Sequence, residues 1–269
     1  MPLTTIQRLA IDILRPFRKE HDFVAGGAVL NRNWPRLSDD MDIFHDLRNR
    51  LPRSVEAELN ALRQAGFSVE LTTEDEWTVE AVLRWRGEET RVQWFDDAET
   101  CRRFFPAQDD PDFGFRLHDA DVAVNKVLCA ARRRSAARDA VDLGSIVERY
   151  APLGPLAWAA CGKAPDLNPT VVLRDIRANA FGYAREEIET VRMADGAALS
   201  WDHLREFLDR ALDVAADYCD DTAPADHPGC LFVNAEDLPV AAGPADLESG
   251  LARPLTIRDF SALPVISTP

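Results

Sequence analysis

Residues 26–44 read GGAVLNRNWPRLSDDMDIF: two glycines, a loop with an arginine and a serine, then three aspartates entering an apolar strand. Asp40 and Asp42 are separated by one residue. In an extended strand their side chains leave the same face, roughly 7 Å apart along the backbone. Two carboxylates so placed repel each other unless a cation lies between them. Glycines let backbone N–H groups approach a phosphate, because no Cβ stands in the way. A strand, a Gly26-Gly27 turn and an Asp-x-Asp pair on the next strand thus form a coherent device for a triphosphate and one or two Mg2+ (or Mn2+) ions. Ser38 either donates to a phosphate oxygen or orients the turn. The plain alternative is a solvated acidic loop, since Asp-x-Asp alone is too short to be diagnostic.

Around this stretch the pattern alternates between helix and strand. Ile6, Leu9, Ala10, Ile13, Leu14 and Phe17 follow one helical face. FVAGGAVL begins as a short apolar strand, and residues 28–33 suit a helical turn. A helix is expected over 54–65, capped by Ser54, with Val55, Leu59 and Leu62 on one face. FSVELTT, WTVEAVLRW and TRVQWFD read as strands, the last two joined by a glycine-containing RGEE turn. FFPAQDDPDFG reads as a polar loop that closes this half near residue 116.

The remainder is mainly helical. LHDADVAVNKVLCAARRR is a strong helix with Asp119 or Asp121 near its start, and RDAVDLGSIVERY is another, with Ser135 placed to cap it. Residues 168–193 have helical character broken at Phe181-Gly182. In SWDHLREFLDRALDVAADY, Leu204, Phe207, Leu208, Ala211, Leu212 and Ala215 form one stripe. The tail from about Asp220 is rich in Pro, Ala, Gly and Asp, with one strand-like piece, CLFVN. The expected fold class is α+β: a small mixed β-sheet core flanked by helices over 1–116, then a mainly helical subdomain over 117–269.

A second constellation lies in that helical half. Lys126 stands among Val124, Val127 and Leu128. If Ser135 starts a new helix, Asp139 and Asp142 share a face three residues apart and turn back toward Lys126. Such a lysine either meets triphosphate oxygens as a point charge or carries its ammonium out to water.

Together, GGAVL, R-x-S-D-DMDIF, WF, RFFP, NK-x-L-x-A and RD-x-x-DL make a pattern that resembles the AbiEii/AbiGii toxin family of nucleotidyltransferases, within the polymerase-β-like superfamily. The resemblance runs from about Phe23 to Tyr150. It implies that Gly26 and Gly27 cradle phosphate, that Ser38 precedes the metal-binding pair Asp40 and Asp42, and that Lys126 contacts the nucleotide. Asp139 then matches the acid of the Arg-Asp motif, and Asp142 that of the following Asp-Leu. It further implies an Mg2+-dependent transfer of a nucleotide from an NTP, in relatives some of which modify tRNA ends and pair with an antitoxin protein. The chain departs from the superfamily at its third carboxylate: TRVQWFDD puts Gln93 and Trp94 where an inward acid is expected. Asp96, Asp97 or Glu80 is the candidate replacement.

Composition narrows the partners. Forty-six acidic against 31 basic residues give a net charge of −15, which opposes a large nucleic-acid footprint. It leaves room for local basic clusters at Arg102, Arg103 and 132–134, where tRNA phosphates are one option. A cationic small molecule such as an aminoglycoside suits the acidic charge, and a protein hydroxyl is a third acceptor. A binding protein that keeps the fold without catalysis is the alternative in another class. Five scattered cysteines without a CxxC pair indicate reduced thiols in a cytoplasm. The five histidines show no metal-ligand spacing. No signal peptide, membrane-spanning run, P-loop or nucleophile elbow is seen.

Overall fold

The computed structural model describes residues 3–46, 51–96, 102–134, 136–194, 196 and 198–259, without the side chains of 52–54. The chain forms two units. One comprises Met1–Asn33, Leu37–His118 and Arg258–Pro269; the other comprises Trp34–Arg36 and Asp119–Ile257.

The first unit begins with α1 (Thr5–Leu14). Thr4 caps it reciprocally with Gln7. Next come β1 (Asp22–Ala25), α2 (Gly26–Leu30), β2 (Asp40–His45) and α3 (Leu51–Gln64). Strands β3 (Ser68–Glu74), β4 (Thr78–Trp85), β5 (Glu88–Phe95), β6 (Arg102–Arg103), β7 (Gln108–Asp110) and β8 (Gly114–Arg116) follow. The main sheet has seven strands in the order β3-β4-β5-β2-β1-β8-β7. It is mixed, because β2 runs antiparallel to β1 and parallel to β5. The fold is therefore α+β, as the residue pattern implies.

Alternation along the central strands separates two faces. Met41, Ile43, Val79, Ala81, Leu83, Val92 and Trp94 are buried, on the side where α1 and α3 pack. The other face carries charge, with Arg84 bonded to Glu70 at 2.5 Å and to Glu89 at 2.7 Å. This is the pattern of a sheet packed on one side and wet on the other. Arg86 and Gly87 both take positive φ, 50° and 84°, as a tight turn matching the twist of β4 and β5 requires.

Two expectations are corrected. Helix α3 starts at Leu51, so Ser54 lies inside it rather than ahead of its first turn. FFPAQDDPDFG is not a plain loop: it contributes β7 and enters β8. The Asp110 carboxylate accepts from the N–H groups of Asp112 and Phe113, at 2.9 and 3.1 Å, closing the turn. Phe113 is fully buried, and β8 pairs in parallel with β1 through Val24 and Arg116. A side-chain-closed turn leaves no apolar alternation, which is why three-residue strands escaped the pattern.

The second unit holds α4 (Asp119–Arg132), α5 (Arg138–Arg149), α6 (Leu153–Lys163), α7 (Pro169–Ala180), α8 (Arg185–Glu189) and α9 (Trp201–Asp217). Asn168 caps α7 by accepting from the Val171 N–H at 2.9 Å. The Ser135 cap lies outside the described residues. Helix α4 is the hub, with Val122, Ala123, Val124 and Val127 buried and α5, α6 and α7 packed on it. On α9, Leu208, Leu212 and Ala215 are buried, while Leu204, Phe207 and Ala211 are partly exposed. The tail is more structured than its composition implies. Strand β9 (Leu231–Val233) pairs with β10 (Arg253–Leu255), and α10 (Pro244–Glu248) lies between them in sequence. Cys230, Phe232, Ala242 and Ala252 form a small core there, with Trp158, Val240 and Leu247 packed against it.

Candidate active site

The carboxylate cluster belongs to the first unit. Strand β2 lies between β1 and β5, with Asp42 opposite Ala25 on one side and Gln93 on the other. Asp40 and Asp42 alternate with the buried Met41 and Ile43, so both carboxylates are on the sheet face away from that core. Gly26, the first residue of α2, sits against Asp42. It has φ +65°, and a Cβ built on it would lie 1.8 Å from Asp42 Oδ2. Only glycine permits that approach. Gly26 thus makes room for a carboxylate. Gly27 is buried, and its carbonyl accepts from Asn31 Nδ2 at 3.1 Å.

Ser38 is fully buried, and its hydroxyl donates to the Asp40 carbonyl at 2.8 Å. Of the two roles open to it in the sequence, this geometry is that of orienting the turn. The Gln7 amide, already part of the α1 cap, donates to the Ser38 carbonyl at 2.9 Å and to Thr90 Oγ1 at 3.2 Å. A buried polar network therefore fixes the entry of the chain into β2.

The third carboxylate has three candidates. Asp97 lies outside the described residues. Asp96 directly follows β5, and its N–H donates to the Trp77 carbonyl at 2.9 Å. Glu80 lies across β5 from Asp42, in the row Asp42–Gln93–Glu80. Its carboxylate accepts from Gln93 Nε2 at 2.6 Å and from Thr72 Oγ1 at 2.7 Å, with Arg91 at 3.6 Å. Among the described residues, no group of three or more His, Cys, Asp or Glu is placed to hold a metal ion.

The lysine cluster belongs to the second unit. Lys126 Nζ lies 2.8 Å from Asp142 and 3.3 Å from Asp139. The two aspartates, on the first turns of α5, do turn back toward the α4 lysine. Arg36 is the residue that reading by motif left without a role. Its guanidinium grips both oxygens of Asp142, Nε to Oδ1 at 2.5 Å and Nη2 to Oδ2 at 3.0 Å. Arg133 Nε donates to Asp139 at 3.1 Å. Arg36, Lys126, Asp139 and Asp142 are all buried. Burial pushes the Asp142 carboxyl up, but Lys126 and Arg36 outweigh it and hold it down at about 2. The same carboxylates overcome desolvation and raise Lys126 above the ordinary lysine value. The Arg-x-Ser spacing before Asp40 was the available signal for Arg36.

The arginine clusters behave differently from one another. Arg103 is fully buried, paired with Asp46 at 2.7 Å and stacked 4.7 Å from the Phe23 ring centroid, so it is removed from the candidate contacts to RNA. Arg132, Arg133 and Arg134 are exposed. His45 is buried, with Nδ1 2.5 Å from Asp22. Cys129, Cys161, Cys219 and Cys230 are not in disulfides, and burial pushes Cys161 up to about 11 and Cys219 to about 12. Such thiols are poor nucleophiles. Cys101 lies outside the described residues. Among the described residues no helix is long and apolar enough to cross a membrane.

No family model matches the chain. No curated protein matches it either. Among solved structures it is similar to a chain described as a "putative nucleotidyltransferase" from H. pylori, at TM-score 0.45 and 15% identity, over 81% of this chain and 98% of that one.

Proposed function

We propose that the protein is a metal-dependent nucleotidyltransferase of the AbiEii/AbiGii type, moving an NMP from an NTP to a hydroxyl acceptor. The carrying observation is the seat of Asp42: two carboxylates on one face of β2, one of them against a glycine that cannot be replaced without filling its place. Two hard oxygen donors without a full protein cage suit Mg2+ or Mn2+, which bind through one or two carboxylates together with substrate phosphates. Asp40 and Asp42 would hold the ion, which when bound neutralises triphosphate charge and favours in-line displacement of pyrophosphate.

The chain's own residues then have separate tasks. Gly26 seats Asp42, and Ser38 fixes the turn that presents Asp40. Gly27 and the α2 backbone are assigned to phosphate, and Lys126 to a phosphate oxygen, on the strength of the resemblance. Asp139 and Asp142 orient the Lys126 ammonium; Asp139 is also the candidate group for the acceptor hydroxyl. Catalysis on this reading comes from positioning and charge neutralisation. A tRNA end is the acceptor proposed, with the exposed Arg132–Arg134 stretch supplying phosphate contacts, in a toxin-like role with an antitoxin partner.

One observation favours a second reading, a nucleotide-binding protein without turnover. Glu80 is engaged by Gln93, Thr72 and Arg91, and Gln93 stands opposite Asp42. The test is a labelled-transfer assay with Mg2+, each of four NTPs and total tRNA, run beside the Asp40→Ala, Asp42→Ala double variant. Label on RNA with one NTP, lost in the variant, is expected. NTP binding without transfer to RNA, small molecules or protein would establish the second reading, and no NTP binding would exclude both.

A further inference from the structure

The charged cluster of the helical unit poses a problem of electrostatics. Lys126 is the ammonium assigned to an anion, yet two carboxylates lie within 3.3 Å of it. A cation held between two full negative charges presents little attraction to a third. Arg36 changes that balance. Its planar fork takes both oxygens of Asp142, the bidentate geometry that arginine makes and lysine cannot. Arg133 meets the other carboxylate, Asp139, from its second oxygen. Each aspartate is thereby shared between Lys126 and an arginine.

The segment carrying Arg36 is built into the same unit. The Pro35 carbonyl accepts from the Ala194 N–H at 2.6 Å, and Arg36 forms a backbone bridge with Met193. Arg36 is 1% exposed, and its side chain reaches Asp142 across 106 positions of sequence. Among the described residues, Lys126 pairs with Asp139 and Asp142 alone, which leaves a third N–H of its ammonium for a ligand.

We propose that Arg36 is a positioning residue that neutralises Asp142 so that the Lys126 ammonium remains available to the phosphates of a nucleoside triphosphate. The inference rests on the nucleotidyl-transfer reading for its choice of ligand. Without Arg36, more of the Asp142 charge would bear on Lys126 and repel the incoming anion. Removing Asp142's charge as well would release the lysine again. A purely structural Arg36 would make no such demand on Lys126.

The sequence makes the lysine directly observable, since the chain has three lysines, Lys19, Lys126 and Lys163. Protein labelled with carbon-13 at the lysine ε position, with Lys19→Arg and Lys126→Arg variants for assignment, gives one signal for each. Lys163, held by Asp121 at 2.7 Å and Asn125 at 2.8 Å, is the internal control. Inorganic tripolyphosphate and then each NTP with Mg2+ are titrated into the parent, Arg36→Ala, Arg36→Lys and Arg36→Ala/Asp142→Asn proteins, with a melting temperature for each. In the parent, tripolyphosphate and one NTP move the Lys126 signal and leave Lys163 still. Arg36→Ala weakens that response by about tenfold, Arg36→Lys by less, and the double variant restores it to within about threefold. An equal response in Arg36→Ala and parent overturns the proposal. So does a double variant that regains its melting temperature but not its Lys126 response. If Arg36→Ala does not fold, the comparison of Arg36→Lys with the double variant decides by the same criteria. A parent whose Lys126 answers tripolyphosphate but no NTP defeats the nucleotide reading and leaves the role of Arg36 standing; a parent whose Lys126 answers neither defeats both.

Discussion

The two charged clusters, one in each unit, solve opposite electrostatic problems. On β2, Asp40 and Asp42 place like charges on one face, and the space beside Asp42 is kept open by Gly26. In the helical unit, Lys126, Arg36, Asp139 and Asp142 place opposite charges in contact, and every one is buried. On the proposed reading the first cluster takes a metal ion, whereas the second is ion-paired within the chain. Their mutational signatures should differ accordingly.

The largest effect on stability is expected in the helical unit. Asp142→Ala leaves Arg36 and Lys126 buried without their shared partner, and should cost about 3–5 kcal/mol in urea unfolding. The acid limb of the stability profile provides a check. Asp142 is held at about 2, below its ordinary 3.8, so its contribution is present above the unfolded value and lost as pH falls through the folded one. Unfolding measured between about pH 4 and pH 2 should show that slope in the parent and not in Asp142→Ala. An unchanged slope would separate Asp142 from the ion-pair network.

Gly26→Ala should come next, at about 2–4 kcal/mol. The cost combines a left-handed backbone with a Cβ forced onto the Asp42 carboxylate. Unlike Asp142→Ala, it should also abolish metal-dependent binding, because Asp42 must move. A stable, metal-competent Gly26→Ala would remove the distinction between the two clusters. The smallest effect is expected at Glu80→Gln. Its exchange of one carboxylate oxygen on a partly exposed sheet face should change stability by less than about 1 kcal/mol, with Mn2+ affinity unaltered. A large loss of affinity would instead make Glu80 the missing third carboxylate.

How far each cluster could be read from sequence follows from the range of its contacts. Gly26, Asp40 and Asp42 lie within one stretch, so strand periodicity alone placed both carboxylates on one face. Lys126 with Asp139 and Asp142 was legible through helical spacing, once a break between two helices was allowed. Arg36 was not: its partner is 106 residues away, and an arginine in a Pro-containing loop has no periodicity to betray burial. The hydrogen bond from Gln93 to Glu80 needed the β4–β5 register. Helix α6 hid for another reason. Leu156, Ala157, Ala159 and Ala160 are all buried, and a helix enclosed on most sides lacks the polar stripe that makes periodicity visible.

The most direct test of the central claim, that Asp40 and Asp42 hold the metal of a bound nucleotide, is water-proton relaxation in Mn2+–NTP solutions as protein is added. The parent should enhance relaxation with at least one NTP, and the Asp40→Ala, Asp42→Ala variant, shown to be folded by its melting curve, should not. Equal enhancement in parent and variant, or none in the parent with any NTP, would contradict it.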